Sequence, residues 1–123
     1  KMINSSLTGG GCEVLILGFA FKENCPDIRN TKVYDLIMAL KMYSMKYTVV
    51  DPCVSNDETK KEYNLEVLNK VPTNKKFKVT ILAVSHQLFC DWTTKDWQNF
   101  SFPRSLIFDI KGIVPKQLNP VRL

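Results

Sequence analysis

Three cations and one aromatic ring mark where the chemistry of this sequence concentrates. In "LGFAFKENCPDIRNTKVYDLI" (17–37), Phe21, Lys22, Asp27 and Arg29 lie between an apolar run ending in Gly18 and a helix expected to begin near Asn30. Lys111 follows another apolar run, in "FDIKG". Fixed cations beside a helix amino terminus hold phosphate, because the positive dipole end and unpaired backbone N–H groups point the same way. The chemistry this predicts is anion binding.

Groups suited to covalent or metal chemistry are thinly spread. Cys25 lies near the expected helix amino terminus, where thiol pKa values fall, but no base is near it in sequence. His86 is the one histidine, with no Ser/Asp or metal partner at an evident spacing, and is read as structural. Asp51 ends an apolar run where a ribose-binding acid can sit, yet Asp51-Pro52 reads first as turn chemistry. Cys12, Cys25, Cys53 and Cys90 form no CxxC or Cys/His pairing, so reduced thiols are expected. Trp92 and Trp97 are read as packing. Arg29 has a competing role, since Asp27 two residues earlier is a ready ion-pair partner, and a lysine before glycine, as at Lys111, is common at strand ends.

The elements that must position these groups alternate. "EVLILG" (13–18) is a short apolar run closed by glycine, the pattern of a strand buried on both faces. Val33, Leu36, Ile37 and Leu40 recur at helical spacing, with Asn30 as N-cap and Pro26 keeping the preceding segment out of the helix. "KYTVVDP" reads as a second strand and "NDETKKEYN" as a short polar helix. "KVTILAVS" (78–85) is a third strand, "TTKDWQNF" a short capped helix, and "RSLIFDIKG" (104–112) a fourth strand. Strand and helix in alternation predict an α/β, Rossmann-like three-layer sandwich with a mostly parallel sheet. Ligands of such sheets gather at the carboxyl ends of the strands, where Phe21, Lys22, Asp27, Arg29, Asp51, Ser85, His86, Asp109 and Lys111 all fall.

The usual dinucleotide site of such a fold is missing. It needs G-x-G-x-x-G after the first strand, and "FAFKEN" follows Gly18 instead. No glycine cradle precedes Lys22 either, which excludes a P-loop.

With 123 residues and 45% hydrophobic content, one domain with a real core is expected. "NSSLTGGG" is a polar approach to the first strand, so residues 1–11 are read as a lead-in from an upstream segment and 12–123 as the domain. No run approaches the roughly 18 apolar residues of a membrane span, and a soluble, cytoplasmic protein is expected. The net charge of +5 favours anionic partners without choosing among them. Much of the excess lies in "KKEYN" and "NKKFK", solvated faces away from the proposed ligand edge.

The block F-K-x-x-x-x-D-x-R, followed by strands ending "DP", "ILAVSH" and "FDIKG", resembles the carboxy-terminal domain of the UDP-glucose/GDP-mannose dehydrogenase family from Cys12 to Val114. "FKENCPDIRNT" is similar to the branch that oxidises UDP-N-acetylhexosamines, such as UDP-N-acetylglucosamine or UDP-N-acetylgalactosamine. The resemblance implies a larger enzyme with an amino-terminal NAD domain, a central helical segment that dimerises, and this UDP-sugar-binding domain. It implies oxidation of the sugar C6 alcohol to a carboxylate with two NAD, through a thioester on a cysteine in a G-G-x-C-F-P-K-D type motif absent from this chain. The isolated chain is therefore expected to bind and not to catalyse. By the same resemblance Phe21 and Lys22 contact the substrate, Arg29 reaches the NAD pyrophosphate, and Lys111 stands where many members have an arginine near the nucleotide. A lysine there keeps the charge and loses the bidentate fork. The expected partners are a UDP-sugar, the NAD-binding and central domains of the same chain, and further copies in a homodimer or higher homo-oligomer.

A non-enzymatic nucleotide- or nucleic-acid-binding module is the rival reading. It requires basic residues interleaved with exposed aromatics, and no such pattern is present, so neither nucleic acid nor membrane is expected as a partner.

Overall fold

The computed structural model describes residues 13–29 and 31–122. Six strands form one sheet: β1 (Val14–Leu17), β2 (Tyr47–Val50), β3 (Val67–Leu68), β4 (Phe77–Leu82), β5 (Ser101–Asp109) and β6 (Val121–Arg122). Their order is β3-β2-β1-β4-β5-β6, and every pairing is parallel. This is the doubly wound order of nucleotide-binding sheets, in which the direction of winding reverses between β1 and β4 and opens a crevice at their carboxyl ends.

β1 shows why the central strand is wholly apolar. Val14 and Ile16 enter one core with Val33, Ile37, Val49 and Val67, whereas Leu15 and Leu17 enter a second core with Phe77, Phe89, Trp97 and Ile107. Side chains alternate across a strand, so a strand covered on both sides has no polar position to offer. Helix α1 (Val33–Met42) covers the first face through Val33 and Ile37, joined by Tyr63 at the end of α2 (Asn56–Tyr63). The single turn α3 (Gln87–Cys90) and α4 (Thr94–Asn99) cover the second through Phe89 and Trp97. Trp92 meets Trp97 edge-on at 5.1 Å, an aromatic geometry favoured by the ring quadrupoles.

The expected strands and helices are present, and four small elements are added, among them a 3-10 turn at Lys116–Leu118. β3, β6 and α3 have only two to four residues, too few to show a period. Asn30, the expected N-cap of α1, lies outside the described residues, as do Cys12 and the lead-in 1–11. The helix begins at Val33, and the Thr31 hydroxyl accepts a bond from the Val33 N–H at 3.2 Å. The same hydroxyl donates to the Phe19 carbonyl at 2.6 Å, tying the start of α1 to the end of β1. Ser55 caps α2, and Thr93 with Asp96 forms a capping box on α4.

Candidate nucleotide site at the carboxyl edge of the sheet

The loop from Phe19 to Arg29 leaves β1 at the crevice. Its first two N–H groups, those of Phe19 and Ala20, donate to the same oxygen of Asp51 at 2.7 and 2.9 Å. In a dinucleotide-binding sheet these turn amides face the pyrophosphate. Here a carboxylate from the end of β2, fully buried, takes that place. Asp51 thus turns inward, and the position where a ribose-binding acid can sit becomes an internal anion filling the fold's own phosphate hole. The side chains of "FAFKEN" and this occupied hole leave no pyrophosphate cradle at the β1–α1 connection.

Asp51 is held from four directions. Besides Phe19 and Ala20, it accepts from the Cys53 N–H at 2.7 Å, an Asx turn, and from His86 Nε2 at 2.8 Å. Burial alone pushes the Asp51 carboxyl up, but the bonds from His86 and the three backbone amides outweigh it and hold its pKa below 3.8. Burial pushes the Cys53 thiol up, with the Asp51 charge adding to it, so Cys53 stays a thiol.

His86, fully buried at the end of β4, has its partner after all. Sequence spacing hides it, because Asp51 is 35 residues away and the pairing exists only once β1 has brought β2 and β4 to either side of itself. Its other nitrogen, Nδ1, accepts from the Asn24 N–H at 2.8 Å, which fixes the tautomer with the proton on Nε2. Asn24 adopts a left-handed conformation (φ 56°), and its side-chain oxygen accepts from the Gln87 N–H at 2.7 Å. Ligand atoms of Asp51, Cys53 and His86 lie within 4.8 Å of one another, a spacing compatible with a metal ion. Both Asp51 oxygens and His86 Nδ1 accept hydrogen bonds from the protein, and Cys53 Sγ lies 3.4 Å from the same Nδ1, so the three residues form one internal polar network.

The residues expected to meet ligand divide between two sides of the edge. Phe21 is 53% exposed, a large apolar ring turned to solvent beside the exposed Lys22. The Phe21 N–H closes the loop onto the Asp27 carbonyl at 2.7 Å. Arg29 is clipped to Asp27 by Nε and Nη2, both at 3.0 Å, and the Arg29 N–H caps the same carboxylate. These bonds from Arg29, with help from the Lys22 charge, hold the Asp27 pKa at about 2. Arg29 lines an open groove of about 510 Å³ with Glu58, Glu62 and Tyr63. Its competing role as partner of Asp27 is therefore real, and two glutamates line the same groove. Lys111 is exposed beyond β5, two strands from β1. Lys22 and Arg29 lie on the loop after β1 and Lys111 on the turn after β5.

The turn bearing Lys111 is built by Asp109. Its buried carboxylate accepts from the N–H groups of Gly112, Ile113 and Val114 at 2.7, 3.1 and 2.9 Å, and Gly112 supplies the positive φ of 77°. "FDIKG" is thus a strand end whose acid folds the chain back and whose lysine faces out.

The match to known proteins follows this geometry. The profile of the UDP-glucose/GDP-mannose dehydrogenase family, UDP binding domain, matches residues 15–116, and the chain belongs to that family. It is 38% identical over 122 residues to a UDP-N-acetyl-D-glucosamine 6-dehydrogenase of Salmonella typhi, and 37% identical over 114 residues to Protein CapL of Staphylococcus aureus. It covers 99% and 93% of itself in these matches but only 28% and 26% of the relatives, so it spans little more than a quarter of their length. Among solved structures, the UDP-N-acetyl-mannosamine dehydrogenase Cap5O from S. aureus superposes with a TM-score of 0.65 over 85% of this chain and 23% of that one. At 19% identity that likeness is one of fold.

Proposed function

We propose that residues 12–123 bind the UDP part of a sugar nucleotide within a longer NAD-dependent dehydrogenase, residues 1–11 leading in from its preceding segment. The reaction is oxidation of the C6 alcohol of a UDP-N-acetylhexosamine to the carboxylate. Two hydrides leave the carbon, each to one NAD, and water supplies the second oxygen. The observation that carries this reading is the family match over residues 15–116, within which the F-K-x-x-x-x-D-x-R block presents Phe21 and Lys22 to solvent at the crevice of the sheet.

In this reading Phe21 and Lys22 contact the UDP-sugar and Lys111 adds a second cation at the nucleotide. Arg29 reaches toward NAD with the N–H groups that Asp27 leaves over. NAD itself is held by another domain, consistent with the internal carboxylate that closes the usual site here. The full-length protein works in the cytoplasm as a homodimer or higher homo-oligomer and supplies a uronic acid for surface polysaccharide. No helix among the described residues is long and apolar enough to cross a membrane.

The test is NADH formation by the full-length protein with UDP-glucose, UDP-N-acetylglucosamine and UDP-N-acetylgalactosamine in turn. Two NADH per sugar with an N-acetylhexosamine substrate are expected. Turnover of UDP-glucose alone would overturn the assignment to that branch.

A further inference from the structure

Besides the bond that closes it internally, from the Phe21 N–H to the Asp27 carbonyl, the ligand loop is held by two side chains that follow other strands. Asp51, after β2, takes the Phe19 and Ala20 amides at the foot of the loop, and His86, after β4, takes the Asn24 amide beyond its tip. Between these anchors lie Phe21 and Lys22, whose side chains are exposed. His86 and Asp51 are joined to each other at 2.8 Å and are both fully buried, so the anchors form one rigid unit. A buried network with every member satisfied specifies one conformation, because each alternative leaves a polar group unpaired. We propose that His86, braced by Asp51 and acting through Asn24, is a positioning residue that presets the Phe21–Lys22 loop for the nucleotide. This rests on the UDP-binding reading and goes beyond it by naming what shapes the site.

The proposal makes the two nitrogens of His86 separable. Nε2 donates to Asp51 and Nδ1 accepts from Asn24. An asparagine carries its carbonyl oxygen near the place of Nδ1, whereas a glutamine carries its amide near Nε2. His86→Asn therefore keeps an acceptor for the loop, and His86→Gln keeps only the bond to Asp51. A merely structural histidine would make the two variants alike, or make Gln the milder, since Gln preserves the more deeply buried contact.

The experiment compares wild type, H86N and H86Q in the full-length protein, by KM and kcat for the UDP-sugar and by hydrogen exchange of peptides covering 19–29. Loss of one acceptor and of the preset loop is expected to raise KM in H86Q by about tenfold with kcat little changed, and to speed exchange over 19–29 by a similar factor. H86N should stay near wild type in both. Asn24→Gly, which keeps the backbone N–H and tolerates the positive φ, should loosen the loop partially while α4 exchanges as in wild type. Equal exchange over 19–29 in all four proteins, or H86Q no worse than H86N, overturns the proposal. Absence of UDP-sugar turnover in wild type sinks the functional reading alone, because the exchange measurement still decides whether His86 holds the loop.

Discussion

Lys22 and Arg29 sit seven residues apart in one loop, yet the structure gives them different circumstances. Arg29 is paired, exposed and shares a groove with Glu58 and Glu62, so Arg29→Ala should leave stability almost unchanged. In kinetics it is expected to raise the KM for NAD and leave UDP affinity unaltered; a fall in UDP affinity would move Arg29 to the substrate side. Asp51 makes a prediction about acid. Its folded carboxyl lies below 3.8, so the folded state gives up the proton more readily than the unfolded chain. That stability is fully present above 3.8 and is lost as pH falls through the lowered folded value. Asp51→Asn should cost about 1.5–3 kcal/mol at neutral pH and should flatten the loss of thermal stability below about pH 4. A variant whose melting profile parallels wild type down to acid pH would contradict this. The Phe-Lys and Asp-x-Arg spacing was legible in sequence because both pairs are local. The Asp51–His86 pair was not, because it joins residues 35 apart through the strand order.

The elements were legible where they were long enough to show a period. β1, β2, β4, α2 and α4 lie close to where apolar spacing and capping residues put them, while α1 begins at Val33, later than a cap at Asn30 implies, and β5 runs from Ser101 to Asp109 where the sequence predicts 104–112. The two-residue strands and the one-turn helix α3 carry no period and take their form from neighbours they add to or cover. Gly18 belongs to this scale. In the sequence it shows only as a strand terminator, but its φ is 101° and a Cβ there would stand 2.5 Å from the Cβ of Val84. The turn out of β1 therefore needs glycine both for its backbone angle and for its contact with the segment after β4. Gly18→Ala should cost about 2–4 kcal/mol, combining strain with overpacking. Chemical denaturation reads this directly, and a loss under about 1 kcal/mol would show that the turn relaxes more easily than its packing suggests.

At the scale of the whole molecule, a doubly wound sheet has the turn amides after its first strand taken by Asp51, and the exposed Phe21 and Lys22 stand on the loop that follows. The missing glycine fingerprint was visible in the sequence; the carboxylate that takes those amides was not, because an Asp-Pro strand end can turn either way. The account stands or falls on whether that loop takes the nucleotide. Calorimetric titration of UDP into the full-length protein, wild type and Lys22→Ala, tests this most directly. The account predicts binding by wild type and a loss of about 1.5–3 kcal/mol in Lys22→Ala, the worth of a charge-assisted contact. Wild-type affinity in the folded variant, or no UDP binding by either protein, would contradict it.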